Sequence, residues 1–515
     1  MASTFHGLEV GKRALFAQQS ALSTTGHNIA NANTTGYTRQ RAEMQATPAI
    51  SNPGMHSDQS PSQLGTGVEV NKLVRLREEY LDVQLRGETK NAGYWEAKSD
   101  SLTKVEELLN EPSDDGLAYT MDEFWKGWQE LSKNPDSAAA RAVVRQRGVA
   151  VTETFDHFSD SLTQMRQDLN NVIGTKLNDI NSLAKQIGSL NDQISRLVPN
   201  NYQPNDLYDQ RDVLIDQLSK LVSVNVQTSP NKNGMVQVFI GNSTKALVDD
   251  RTANTLTLGS FTKSSTSIVE GQIAIVDANS GAATPFLLGS GELLGRIESF
   301  GLDKNGSLTG TIPEMQEKLN KLAKTFAEKV NEIHRSGMNL DEIRPPQAGS
   351  TIYRNLDFFV KKDTTAPDLA AGNLEVNPLL FESLDRIAAA QVEGTNTSST
   401  GNGQNAQLIA GIKFDHQLDF GNIGQSNKTT ADDFYRNIIG QLGIDSQEAQ
   451  RMQDNSEVII RQVENRRQSV SGVSLDEEMA NMIKFQQAYN AAARVITTMD
   501  QCLDKVINGM GRVGL

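Results

Sequence analysis

What the chain lacks narrows the field first. Among 515 residues there is one cysteine, Cys502, so no internal disulfide can form and a helix-packing role is expected for it. No apolar run approaches the roughly 20 residues of a membrane-spanning helix, and Lys12 and Arg13 are followed by no apolar core of a cleavable signal. Positive charge is in deficit: 49 Lys and Arg against 63 Asp and Glu give a net charge of −14, with no basic block to track a phosphate backbone. Nucleic acid is therefore not an expected partner. The histidines (His6, His27, His56, His157, His334, His416) are scattered, and none has the neighbour at i+3 or i+4 that a helical metal site requires. No phosphate loop, nucleophile elbow or paired cysteine motif occurs, and Asp303-Lys-Asn-Gly306 lacks the glutamate that closes a calcium loop, so a hairpin turn is expected there. Neither a cofactor nor catalysis is predicted.

What the chain has is helical periodicity, above all at its two ends. From Leu475 to about Asn508, Leu475, Met482, Tyr489, Ile496 and Leu503 recur every seven residues, with Phe485, Ala492, Met499 and Val506 between them. This is a heptad seam. Ser474 and Glu477 suit a capping box, and Gly509 suits a left-handed C-cap. At the other end Leu8, Leu15, Leu22 and Ile29 repeat with the same period, and Gly11, Ala14, Ala17 and Ala21 keep the flanks thin enough for close helix approach. A helix with so narrow a stripe cannot bury it against itself, so the ends are expected to meet and to leave a seam for association. The first helix runs into Asn28-Ile-Ala-Asn-Ala-Asn-Thr-Thr-Gly-Tyr37, whose Asn and Gly residues terminate helices in a built turn.

Between the ends, residues 40 to 67 read as loop and short strand, with Val68 and Val70 alternating beyond. A helical period resumes from Val74 through Leu81, Trp95, Leu102 and Leu109, softened at Gly87 and Gly93 and stopped by Pro112. Phe124, Trp125, Trp128 and Leu131 mark a short helix whose aromatics are expected to anchor a core. Asn134 and Pro135 suit N-cap and N1 of the longest tract, in which the row Val151, Phe158, Met165, Val172 slips by one residue to Ile180, Ile187 and Ile194, as a straight helix requires. Gly148, Gly174 and Gly188 allow a bend there. Asn205 to Leu221 returns with Leu207, Leu214, Leu218 and Leu221 on one side, which predicts an antiparallel bundle. At Val222 the period changes to two, through Val224, Val226, Val236, Val238, Ile240, Leu256, Leu258, Ile273 and Ile275. Helix returns from Glu314 to about Gly337 and from Asp445 to about Val470.

The expected architecture is mainly α with an inserted β domain: an elongated multidomain chain with coiled-coil-like terminal helices, an antiparallel helical bundle and an outer β-rich domain. The blocks are 1–69 with 471–515 for the terminal helices, 70–222 with 305–340 and 431–470 for the bundle, 223–304 for the strands, and a loop-rich 341–430. Nesting of the connections predicts that the strands lie furthest from the paired ends.

Three stretches carry a family resemblance. Asn28 to Tyr37 resembles the N-terminal signature of bacterial flagellar rod, hook and hook-associated proteins. Ser474-Leu-Asp-Glu-Glu-Met-Ala-Asn-Met-Ile-Lys-Phe-Gln-Gln-Ala-Tyr-Asn-Ala-Ala-Ala-Arg-Val-Ile496 resembles the close of the hook-associated protein 1 family, and Asn205-Asp-Leu-Tyr-Asp-Gln-Arg-Asp-Val-Leu214 is similar to a segment of hook-associated proteins. The resemblance implies a non-enzymatic adaptor joining hook to filament, outside the cell, exported through the flagellar type III channel without a cleaved signal. The partners it implies are copies of itself in a ring, the hook protein, the second hook-associated (junction) protein, and an export chaperone on the C-terminal helix. Leu8, Leu15, Leu22, Ile29, Leu475, Met482, Phe485, Tyr489, Ile496, Met499, Leu503 and Val506 are the expected polymer and chaperone interface. Asn28, Asn31, Asn33, Gly36 and Tyr37 are the expected signature turn. Two alternatives stay open: another axial protein, such as the hook subunit or the second junction protein, and a wall hydrolase with its site in 225–430, where paired glycosidase carboxylates cannot be identified.

Overall fold

The computed structural model describes residues 5–49, 65–109, 116–200, 202–231, 233–262, 265–304, 306–344, 352–393, 397–421 and 428–509. Its helices, in order, are α1 (His6–Ala30), α2 (Glu79–Leu109), α3 (Leu117–Lys133), α4 (Ala138–Leu197), α5 (Asn205–Leu221), α6 (Glu292–Phe300), α7 (Thr311–Ser336), α8 (Leu340–Ile343), α9 (Leu379–Glu382), α10 (Gln404–Gly411), α11 (Ala431–Ser471) and α12 (Leu475–Gly509). The chain ends meet: α1 lies antiparallel to α12, with Gly7 facing Met499, Gly11 facing Ile496 and Asn28 bonded to Glu478. Beside α1 stands an antiparallel hairpin of β1 (Gln40–Ala46) and β2 (Val68–Arg75), bulged at Glu43/Met44. Its connecting loop at 50–64 lies outside the described residues, as does Pro112. The helical period expected from Val74 begins only at Glu79, because Val70, Leu73 and Val74 are used for pairing with β1.

In the bundle, α2 and α11 run antiparallel, with Arg467 3.6 Å from Asp82 at one end and Ser446 Oγ donating to Glu106 at 3.0 Å towards the other. α11 starts at Ala431, well before the expected Asp445, because the Thr430 hydroxyl caps it by accepting from Asp433 N at 3.0 Å. α2 is unbroken at Gly93, where a Cβ would stand 2.3 Å from the Lys220 carbonyl; the glycine admits the end of α5. α4 is one helix of 60 residues, unbroken at Gly148, Gly174 and Gly188 and about 90 Å long. Its N-cap is Ser137, not Asn134. The Ser137 hydroxyl accepts from Ala140 N at 3.3 Å, whereas Asn134 closes α3 by donating its backbone N–H to Glu130 O at 3.2 Å.

The strand insertion does not lie furthest from the chain ends. It follows α5 directly, and β3 (Val224–Thr228), β4 (Val236–Ile240), β5 (Val248–Asp249) and β6 (Thr252–Ala253) form a four-stranded sheet on the second half of α4. Asn170, Asn181 and Asn191 come at intervals of about three turns and so share one face of α4. From it they donate to the carbonyls of Thr262 (3.1 Å), Leu256 (3.1 Å) and Val236 (2.8 Å), tying the insertion to the helix along its length. Within 223–304, α6 is helical and joins the bundle, where Tyr94 of α2 donates to Glu298 at 2.7 Å. The expected turn at Asp303 is a hairpin, Leu302–Lys304 pairing with Ser307–Thr309.

The far end is built instead by α3, the first half of α4, the last turns of α7 and much of 352–421. Phe124, Trp125 and Trp128 pack with Phe326, Phe358 and Phe359 at ring-centroid separations of 4.9–6.1 Å, so both Trp residues are core anchors. One contiguous cluster of buried apolar side chains runs from Leu102 to Ala449 through bundle, insertion and far end; Ala17, Ala21 and Ala492 of the terminal pair stand outside it.

His334 lies buried in this far end. Its Nδ1 faces the Leu356 carbonyl at 2.7 Å, and its Nε2 accepts from Ala388 N at 3.0 Å, so both ring nitrogens are committed with the imidazole neutral. Burial brings its pKa down to about 4 from the ordinary 6.5. The unfolded chain then binds a proton that the folded chain refuses: the contribution is level above pH 6.5, is lost as pH falls towards 4, and is level again below. A loss of roughly 3 kcal/mol is expected across that interval. Urea unfolding at pH 7.5 and 4.5 checks it. His334→Gln, which can make both hydrogen bonds without titrating, should lose about 2–3 kcal/mol less than the natural chain over the same interval.

Candidate functional site

α1 ends in a turn held from inside. The Asn31 backbone N–H and its Nδ2 both donate to His27 O, at 3.1 and 3.0 Å. Gly36 has φ +79°, and a Cβ there would stand 2.1 Å from Val213 Cγ2, so the turn is keyed into α5 by a residue that only glycine can be. Thr38 N donates to Asp209 at 2.9 Å, Gln40 Nε2 to Asp206 at 2.9 Å, and Asn205 Nδ2 to Gln40 Oε1 at 3.0 Å. The segment 205–214, singled out only by resemblance, is thus the surface on which the turn sits. Asn33 stands exposed at the tip.

Behind the turn lies a closed polar cluster. Asn28, 1 % exposed, donates from Nδ2 to Gln40 O at 2.8 Å and to Glu478 Oε2 at 3.0 Å, and its Oδ1 accepts from Tyr37 OH at 2.8 Å and Gln40 N at 3.0 Å. All four of its hydrogen-bonding positions are filled. Glu478, 2 % exposed in the first turn of α12, also accepts from Arg39 Nε at 2.7 Å, while Glu477 accepts from Arg39 NH1 at 2.6 Å. Burial, together with Asp206, Asp209 and Glu478, raises the Tyr37 phenol, keeping it a donor.

The turn is joined to the bundle by charge. Arg75 NH1 bonds Asp209 and Asp212 at 2.8 Å each; Arg77 bonds Asp82 at 2.6 Å and Asp212 at 3.0 Å; Arg86 and Arg467 hold the two oxygens of Asp216 at 2.7 and 2.8 Å. Burial opposes ionisation of Asp212, but Arg77 and Arg75 outweigh it and hold its carboxyl below the ordinary range. On either side of the turn lie open clefts of about 1340 and 660 Å³, so the terminal pair touches the body through a narrow, polar neck. Sequence reasoning missed this ladder. Its one local signal is Asp209, Asp212 and Asp216 at i, i+3 and i+7 on α5, a helix face too acidic to be left unpaired.

The expected seam is brought together but only half covered. The buried face of α1 is Gly11, Ala17, Ala21, Thr24, Thr25 and Asn28, not the leucine row. Leu8, Leu15, Leu22 and Ile29 lie to one side, half-buried, as are Met482, Phe485, Tyr489, Ile496 and Leu503 on α12. Leu475, Met499 and Val506 are 49, 36 and 44 % exposed. Helix approach is set by the small residues, and the large apolar ones are left along an open edge.

Residues 102–353 match the family described as the flagellar hook-associated protein FlgK helical domain, 465–509 the flagellar basal body rod FlgEFG protein C-terminal family, and 8–38 the flagella basal body rod protein family. Flagellar hook-associated protein 1 of Bacillus subtilis is 38 % identical over 524 residues, covering 99 % of each chain, and that of Escherichia coli is 27 % identical, covering 96 % of this chain and 98 % of its own. The solved flagellar hook junction protein FlgK of Burkholderia pseudomallei superposes with a TM-score of 0.59 at 14 % identity, over 76 % of this chain and all of that one, which speaks for the fold. The relatives are structural flagellar proteins rather than enzymes. On the full-length identity and the matched helical domain, the chain belongs to the flagellar hook-associated protein 1 (FlgK) family.

Proposed function

We propose that the chain is the structural adaptor that joins the flagellar hook to the filament, as a ring of copies whose terminal helices line the inner tube and whose bundle forms the layer around it. The observation that carries this reading is the open edge of the terminal pair: one side of α1 and α12 is closed by small residues, and the other presents half-covered Leu, Ile, Met and aromatic side chains. Such an edge is completed by the same edge of a neighbouring copy, by the hook protein below and by the second junction protein above. Before assembly, the exposed Leu475, Met479 and Ile483, one turn apart on α12, offer an export chaperone an apolar stripe, with exposed Val495 and Met499 further along the helix. No helix among the described residues is long and apolar enough to cross a membrane. The location that follows is extracellular, at the hook–filament joint, reached through the flagellar export channel without a cleaved signal. Full-length similarity to hook-associated protein 1 favours this position over that of the hook subunit or the second junction protein. Immuno-electron microscopy of purified flagella carrying a tagged chain should show one narrow band at the joint. Label distributed along the hook would overturn the placement.

A further inference from the structure

The apolar residues that draw α1 and α12 together cannot align them. Both helices repeat every seven residues, Leu8, Leu15, Leu22 and Ile29 along the edge of one and Met482, Tyr489, Ile496 and Leu503 on the other, so a slide of one heptad, about 10.5 Å, brings apolar rows into step again. The knobs at the contact, Ile496 and Met499, seat on Gly11 and Gly7; after the slide Tyr489 and Ala492 take their places, and the small α1 face (Gly7, Gly11, Ala17 and Ala21) is open to either set. The short connection from α11 at Gly472 to Ser474 does not prevent the slide. Unwinding the first two turns of α12 lengthens the chain by roughly 2 Å per residue, enough for one heptad. Apolar rows meet in both registers, and the slipped one gives up those two helical turns.

Beyond those turns, a buried polar match distinguishes the two registers. In the observed register Asn28 has all four hydrogen-bonding positions filled, and Glu478 is held between its amide and the Arg39 guanidinium. Sliding α12 by seven residues away from the neck brings Tyr489 opposite Gly11 and withdraws Glu478 from both partners. The Asn28 amide then loses its carboxylate while still buried, and the Arg39 guanidinium loses its nearest acceptor, so the full desolvation penalty falls on the slipped state alone. A lone buried polar contact that fixes helix register is the best-attested use of such groups. We infer that Asn28, Arg39 and Glu478 form a register key, the polar contact that selects one antiparallel alignment of the two chain ends while the apolar seam supplies attraction without alignment. The inference rests on the pairing of α1 with α12 within one chain and not on placement at the hook–filament joint, so the two can fail separately.

Disulfide trapping in a full-length chain carrying Cys502→Ser tests it. One reporter, Gly11→Cys with Ile496→Cys, reads the observed register; the other, Gly11→Cys with Tyr489→Cys, reads the slipped one. With the key intact the first pair should bridge at least about tenfold faster than the second. With Asn28→Leu and Glu478→Leu together the preference should shrink to about threefold or less, and with Glu478→Gln, which removes the charge and keeps the volume, it should fall between. The bundle's thermal melt, unchanged in each variant, shows that the body remains folded. A preference unchanged in both key variants would overturn the inference, as would equal bridging of the two reporters with the key intact. Equal bridging would also leave the band position in flagella unaffected, which separates this failure from that of the proposed function.

Discussion

Asp212→Ala is expected to lower the unfolding free energy by on the order of 3 kcal/mol, because Arg75 and Arg77 keep Asp209 and Asp82 but each loses its second carboxylate. The side chain is 15 % exposed and lies 2.8 Å from Arg75 and 3.0 Å from Arg77. Removing it leaves two guanidinium groups, 19 and 12 % exposed, short of a carboxylate in a place where water cannot fully replace it. Contrast Lys104→Ala, which breaks a pair with Asp100 whose partners are 56 and 39 % exposed; its expected cost is about 0.5 kcal/mol or less. Urea unfolding of the two variants side by side reads the difference. The pH sign follows from the same geometry: with the folded Asp212 carboxyl held below its ordinary range, its contribution is complete above the ordinary carboxylate range and is lost as pH falls through the folded value. A loss near 0.5 kcal/mol for Asp212→Ala would mean that the arginines remain hydrated and that the neck is not held by charge.

Ile496→Asp should abolish filament growth while leaving the body of the molecule folded. Ile496 packs on Gly11 and is half-buried on the edge that neighbouring copies are proposed to complete. A carboxylate there is buried without a partner on assembly, at a cost on the order of a few kcal/mol per copy that a ring repeats in every subunit. The bundle core from Leu102 to Ala449 contains no residue of α12, so the main melting transition should stay in place. Cells carrying the variant should build hooks, lose flagellin to the medium and fail to swim. Arg494→Ala, two residues away and exposed, should assemble nearly normally. Swimming cells with Ile496→Asp would refute the assembly edge.

Much of the fold was legible because long helices write their period into the chain. The one-residue slip between Val172 and Ile180 in the apolar row of α4, and the heptads of α1 and α12, needed no tertiary information. The errors sit where two local readings compete. Val74 fits the helical row that includes Leu81, but Val70 and Leu73 fit a strand, and only the partner strand from Gln40 decides. Asn134 and Ser137 are both capable caps, and the choice falls to Ser137 because Asn134 is already used to close α3. The turn after α1 was legible from its Asn and Gly residues and its signature by resemblance, yet what it binds was readable from neither. The partners of Asn28 and Gly36 are Glu478 and Val213, far along the chain. The arginine ladder was invisible for the same reason: Arg75, Arg86 and Arg467 come from three segments, and no spacing in the sequence links them.

The 60-residue α4 has a consequence for cooperativity. The aromatic far end packs on its first half and the strand insertion on its second, and the apolar cluster follows it from Val144 to Ile187. Blocks that look separable along the chain therefore share one rod, and none can lose its packing without exposing a face that another needs. The body is therefore expected to unfold as a single unit, and the paired ends, whose buried alanines lie outside that cluster, are expected to open before it. If the two ends separate and rejoin among neighbours, as the proposed assembly requires, the boundary at which they do so is the neck, which is joined to the body by charge rather than by the shared apolar cluster.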